Sequence, residues 1–160
     1  MARRGDEAAG RLEQAVDDLF RRLQPLDAEA LQRRPKPGEW TVLENLAHVA
    51  EMVPFWAERA HAVADGRLAG QSYARTPEEA ALRSAALEQH GRDSMQELQA
   101  RVRAGLLRAM DALRAIPDDS WSRTATWSDG QIHSVADIVE LRLVRHVADH
   151  AQQAQEAARS

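Results

Sequence analysis

Residues 41–64 read TVLENLAHVAEMVPFWAERAHAVA, and this run decides the fold class. Thr41 with Glu44 at the third position is a capping box, whose hydroxyl and carboxylate satisfy backbone donors that a helix start leaves orphaned. Beyond it Val42, Leu46, Val49, Val53 and Trp56 share one arc at about 100° per residue, with His48 at its edge beside Met52 and Phe55. Asp65-Gly66 supplies the stop. Pro54, which has no N–H to donate, is expected to bend the helix near its middle.

The same logic extends in both directions. Leu12, Val16, Leu19, Phe20 and Leu23 recur at three- and four-residue spacing and predict a first helix over about Asp6 to Leu23. Pro25, Pro35, Pro37 and Gly38 then interrupt helical order, with a turn or two expected over Asp27–Leu31. Thr76-Pro77-Glu78-Glu79 starts a third helix, read as one element to Ala115, with Gly91 and Arg92-Asp93-Ser94 as the place where it would bend. Pro117 to His133 carries Trp121, Trp127 and the turn signal Ser128-Asp129-Gly130, which marks a structured loop. Ser134 caps a fourth helix to about Ala158, with Val135, Ile138, Val139, Leu143 and Val147 as its apolar set. No stretch reads as a strand. The expected fold is all-α: a four-helix bundle of antiparallel helices with long crossover connections, because the connectors at 24–40 and 116–133 are too long for hairpin turns.

Composition narrows the function. The 160 residues fit one domain spanning 1–160, and 44% apolar against 29% charged residues is enough to build its core. A net charge of −4 without a basic stripe gives no electrostatic footprint for nucleic acid, so a small molecule is the expected partner. There is no cysteine, which excludes thiolate catalysis, disulfides and Cys-ligated zinc. No apolar run approaches the roughly 20 residues of a membrane span, and Met-Ala-Arg-Arg-Gly-Asp at the start lacks a signal peptide's apolar core. No membrane association and a cytoplasmic location are expected. No P-loop, dinucleotide fingerprint or nucleophile elbow is present.

What remains is histidine and carboxylate chemistry. His146 and His150 are spaced i, i+4, so both can face one metal ion. A regular helix places Val135, Val139, Arg142, His146, His150 and Gln153 on one stripe. That stripe reads either as a face turning to solvent or as a ligand pair, and His48 either as a satisfied core residue or as a third ligand.

Two segments carry a resemblance. Pro37-Gly38-Glu39-Trp40-Thr41-Val42-Leu43-Glu44-Asn45-Leu46-Ala47-His48-Val49 and Arg145-His146-Val147-Ala148-Asp149-His150-Ala151-Gln152-Gln153 resemble the DinB/YfiT-like metalloenzymes, whose helical bundles hold a metal with three histidines. The resemblance follows the element order over most of the chain. It implies that His48, His146 and His150 are the metal triad. Three imidazoles leave coordination positions open for water or substrate, the pattern of a reactive site. Zinc or nickel suits the donor set best, and iron or manganese also fits the ligand type. The family implies hydrolysis or transfer of a low-molecular-weight thiol, and a homodimer. The Arg- and Ala-rich composition points to a GC-rich bacterium, in which mycothiol would be the thiol.

Three further residues are candidates for catalysis. Glu44 and Glu51 lie about one turn on either side of His48 and can orient its ring or relay a proton, although Glu44 also has its cap and Glu51 also reads as a solvated charge. Arg142 lies one turn before His146, where it can pair with an anionic substrate or with a surface carboxylate. His133 precedes the last helix at a pocket mouth or in solvent. His61 and His90 have no partner at ligand spacing. The competing reading is a non-catalytic binding or stress-response bundle with a structural metal or none. An open metal position beside a pocket would separate the two.

Overall fold

Side-chain caps set where most helices after the first begin. The computed structural model describes residues 3–160. Helix α1 (Arg4–Leu23) is followed by a short α2 (Ala28–Gln32), capped by the Asp27 carboxylate. The capping box of Thr41 and Glu44 opens α3 (Val42–Ala64), and that of Thr76 and Glu79 opens α4 (Pro77–His90), with Pro77 in its first turn. Ser94 and Glu97 form another box at the head of α5 (Met95–Ala115). Strands β1 (Thr124–Thr126) and β2 (Ile132–Ser134) then pair antiparallel as a small hairpin. The chain ends in one continuous rod: α6 (Val135–Ile138), capped by Ser134 and Asp137, a π-helical segment (Val139–Val144), and α7 (Arg145–Arg159).

The apolar sets expected from periodicity are the ones buried. Leu12, Val16, Leu19, Phe20 and Leu23 of α1, Val42, Leu46, Val49, Val53 and Trp56 of α3, and Val135, Ile138, Val139, Leu143 and Val147 of the rod all join one core cluster. No helix of the described residues is long and apolar enough to cross a membrane.

Ion pairs and close approaches fix the helix directions. Arg114 meets Asp6 at 3.3 Å and Arg103 meets Asp17 at 3.0 Å, so α1 and α5 run antiparallel. Arg11 reaches Glu140 at 2.8 Å and Arg22 reaches Gln155 at 3.4 Å, so α1 and the rod run parallel. Asn45 contacts His150 at the start of α3, whereas Arg123, hydrogen-bonded to Val135 at the head of the rod, holds the Ala64 carbonyl at its end; α3 and the rod are therefore antiparallel. It follows that α3 and α5 are parallel, in agreement with the Glu58–Arg108 pair. Around the bundle the order is α1, α5, α3, rod.

Consecutive long helices α1 and α3 thus face each other across the diagonal, as do α5 and the rod. This is why the two long connectors exist: each must cross the end of the bundle. The expected all-antiparallel arrangement is corrected: two neighbouring pairs are parallel, α1 with the rod and α3 with α5, and the segment carrying α4 returns the chain between the latter two.

Two other expectations are also corrected. The third helix is two elements, α4 and α5, because Ser94-Met95-Gln96-Glu97 is itself a start signal that outcompetes continuation through Gly91. The loop from 117 to 133, read as free of strands, contains the β1–β2 hairpin with a turn in which Gly130 adopts φ 87°.

The close packing of α3 on α5 depends on one glycine. Pro54 cannot donate to the Ala50 carbonyl, which is left facing α5. A Cβ on Gly105 would lie 3.0 Å from that carbonyl oxygen and 3.1 Å from the Pro54 ring, so any larger residue would require α3 and α5 to give way locally.

Candidate metal centre

Helix α3 delivers His48 and helix α7 delivers His146 and His150, one turn apart. One nitrogen from each of the three rings lies within 4.8 Å of the others. Ring centroids are 5.5 Å apart for His48 and His146, 4.6 Å for His48 and His150, and 4.8 Å for His146 and His150. Ligand nitrogens on one tetrahedral ion are spaced by roughly 3.4 Å, so a modest side-chain adjustment brings the three to bonding distance. The stripe does not turn to solvent at His150, which is 6% exposed; His48 is 4% exposed.

The rings are held in a defined orientation. His150 Nδ1 lies 3.0 Å from Asn45 Oδ1, and Asn45 Nδ2 donates to the Thr41 carbonyl at 2.9 Å, which fixes the amide with its oxygen toward the ring. His146 Nδ1 lies 3.2 Å from the Arg142 carbonyl oxygen. Both Nδ1 atoms face acceptors and therefore carry the proton, leaving each Nε2 with a free lone pair. Trp40 stacks on His150 at 5.8 Å between centroids and lies 5.0 Å from His48.

His48 is different. Its Nδ1 is buried with no hydrogen-bond partner, and the nearest carboxylate oxygen, on Glu51, is 3.8 Å away. Glu51 is itself clamped by both terminal nitrogens of Arg75 at 2.8 and 3.0 Å. Buried polar atoms without partners are rare, and three neutral imidazoles with one unsatisfied nitrogen are a donor set that fits a divalent ion.

Electrostatics keep the rings neutral. Burial pushes His48 down to about 2, with His150, His146, Arg83 and Arg75 adding to the effect. Burial also pushes His150 down to about 4, with His146 adding. His146 is held below its ordinary value, again by burial first. Neutral imidazoles are the form that binds metal.

The remaining candidates are distributed unevenly. Glu44 is turned away from the cluster: its carboxylate meets both terminal nitrogens of Arg34 at 2.7 and 3.0 Å and the Thr41 amide at 2.9 Å. The connector residue Arg34 claims it, which spacing on α3 alone cannot reveal. Glu51 borders His48 as described. Arg142 lies in the π-helical segment with its guanidinium 3.6 Å over the Trp127 ring, which corrects the surface ion-pair alternative. His133 accepts or donates at 2.5 Å to the hydroxyl of Tyr73, a fully buried side chain. Gln153, at the end of the stripe, is exposed.

Sequence reasoning missed Asn45, Arg75 and Tyr73. Asn45 did carry a signal, a buried amide on an otherwise apolar arc that must find a partner. Arg75 and Tyr73 lie in the irregular segment before α4, where no periodicity speaks for them. A cavity of about 500 Å³ opens beside the cluster, lined by Trp40, Asn45, His150 and Gln153 among others.

If Asn45 positions a metal ligand, Asn45→Ala should weaken metal binding about 10- to 100-fold, the usual cost of losing such an outer partner, while leaving one site per chain. Titration calorimetry with Zn²⁺ checks this, and unchanged affinity would count against it.

Fold and site together define a helical-bundle protein with a cluster of three histidines, two of them buried, that could hold one metal ion. The sequence pattern of the DinB superfamily matches residues 11–154, and the chain belongs to that superfamily. Among solved structures it is similar to the mycothiol-dependent maleylpyruvate isomerase, at 21% identity and TM-score 0.70 over 93% of this chain. The chain spans 60% of that protein's length. It is also similar to YfiT from Bacillus subtilis, described as a probable metal-dependent hydrolase with an unusual four-helix bundle topology. That match has 18% identity and TM-score 0.69, over 97% of this chain and 86% of that one. A protein from Streptococcus pneumoniae matches at 13% identity and TM-score 0.67, over 98% and 91% of the two chains. At these identities the likeness is one of fold. No curated protein sequence matches significantly.

Proposed function

We propose that this protein is a metal-dependent enzyme acting on a small molecule, with His48, His146 and His150 as the ligands of one divalent ion. The observation that carries the reading is the convergence of three neutral imidazoles, two of them buried and one with an orphaned nitrogen, beside a cavity of about 500 Å³ that His150 lines. Three protein ligands next to a cavity fit a reactive site better than a closed structural one.

When bound, the ion supplies Lewis acidity and lowers the pKa of a coordinated water or thiol. The chain's own residues do the rest. Asn45 and the Arg142 carbonyl hold the His150 and His146 rings in the ligating tautomer, and Trp40 packs against His48 and His150. Glu51, held by Arg75, stands where it can accept a proton from the His48 side. The reaction class is hydrolysis or transfer of a low-molecular-weight thiol. The thiol version suits a chain with no cysteine of its own and agrees with the mycothiol dependence of one structural neighbour. Zinc or nickel fits three imidazoles best, and iron or manganese is compatible. A cytoplasmic bacterial homodimer is part of the same proposal.

The test is metal content. Protein purified without a polyhistidine tag should contain about one equivalent of a single transition metal by elemental analysis, or take it up with micromolar affinity or better. Failure to bind Zn²⁺, Ni²⁺, Fe²⁺, Mn²⁺ or Co²⁺ would overturn the reading.

A further inference from the structure

Most of the arginines buried against this molecule are neutralised. Arg75 is paired with Glu51, Arg59 with Glu79, and Arg33 with Glu29. Of the two arginines near the histidines that lack such a partner, Arg83 and Arg142, only Arg142 has a buried guanidinium nitrogen left unsatisfied. It is partly buried, its Nε is buried with no hydrogen-bond partner, and no carboxylate among the described residues lies within ion-pair distance of it.

Its position is nevertheless defined. The guanidinium lies 3.6 Å over Trp127, whose ring packs 5.0 Å from Tyr73 and 6.0 Å from Trp56. Stacking covers one face of the guanidinium plane and the Tyr73 hydroxyl lies against its edge, which leaves the remaining in-plane N–H donors for a ligand. The backbone carbonyl of the same residue holds His146 Nδ1. Arg142 therefore shares its segment of the rod with a proposed metal ligand. The π-helical turn, an irregularity frequent at functional sites, is what presents it there. Arg142 is also among the charges that bear on His146.

A half-buried cation without a counter-charge is costly to keep, and a guanidinium is shaped to take a carboxylate through two parallel hydrogen bonds. Resting on the metal-site reading above, we infer that Arg142 is a substrate-recognition residue, and that the small molecule turned over at the histidine cluster carries a carboxylate, which Arg142 binds while the reacting group is held at the three imidazoles. Arg75 does not compete for this role, because Glu51 already occupies both of its terminal nitrogens.

The probe is a ligand with a thiol at one end and a carboxylate at the other. Co²⁺-loaded protein would be titrated with mercaptocarboxylates of two to five carbons, and with the mercaptoalcohols of equal length, following the thiolate-to-cobalt absorption. At one chain length the carboxylate should bind roughly 10- to 100-fold tighter than the alcohol, the range of one charge-assisted contact. In Arg142→Gln that preference should vanish while cobalt content and alcohol binding stay the same, and Arg142→Lys should restore part of it. A preference that survives in Arg142→Gln, or one that is absent from the wild type at every length, overturns the assignment to Arg142. A protein that takes up no cobalt overturns the metal reading instead, and this inference with it. Circular dichroism of each variant shows that the bundle is folded, so loss of preference cannot be mistaken for loss of structure.

Discussion

Replacing His146 or His150 with alanine is expected to abolish stoichiometric metal binding while the bundle stays folded. Each change removes one of three protein ligands, and no other histidine is in reach, since His133 is bonded to Tyr73 and His90 to Asp93. The fold should persist because the apolar faces of α1, α3, α5 and the rod supply the stabilisation, and metal binding adds to it by mass action. His48 offers a sharper contrast. Its ring is buried and its Nδ1 unsatisfied, a condition that costs about 1–3 kcal/mol. His48→Leu, which keeps the volume and removes the orphan, should therefore lose metal binding yet match or exceed the metal-free wild type in stability. Elemental analysis and urea denaturation on the same samples read both effects. Metal retained in both alanine variants would remove the triad from consideration. Collapse of helicity on metal loss would favour a structural ion.

The metal-free protein should lose stability steeply as the pH falls below about 6.5. His48 and His150 have folded-state values of about 2 and about 4, both below the ordinary histidine value of 6.5. Between the folded and unfolded values the unfolded chain binds more protons than the native one, so stability rises with pH across that window and falls as acid is added. The window runs from about 6.5 down to about 4 for His150 and further, to about 2, for His48. At pH 5 each ring costs roughly 2 kcal/mol relative to neutral pH, because one pKa unit corresponds to about 1.4 kcal/mol. Carboxylates with depressed values, such as Glu79 and Asp137, add to the loss only at lower pH. Urea midpoints at pH 7, 6 and 5 check the prediction, and His48→Leu should flatten the slope. An equal slope in that variant would mean that His48 is not the group responsible.

The helices and most of their ends were legible because their signals are local. The capping boxes at Thr41, Thr76 and Ser134 and the three- and four-residue apolar spacing depend only on residues a turn or two apart. The Ser94–Glu97 box was equally local, and reading it would have divided α4 from α5. His146 and His150 could be paired for the same reason, since a single helix fixes their relation. Joining His48 to them took the resemblance, because nothing in the spacing of α3 says which helix it faces.

Tertiary structure decided the rest, wherever the partner came from a distant part of the chain. The diagonal placement of α1 and α3, and of α5 and the rod, depends on which apolar faces dock, and an amphipathic period is silent on that choice. The π-helical segment, in which Val139 and Leu143 are buried, breaks the 100° arithmetic that placed Arg142 on the histidine stripe, because that arithmetic assumes a regular helix. Glu44 was separated from the site by Arg34, His150 was given its tautomer by Asn45, and Glu51 was claimed by Arg75. Local sequence determines the helices and the chemical types available on their faces. Docking energy summed over the whole core selects which of those groups meet.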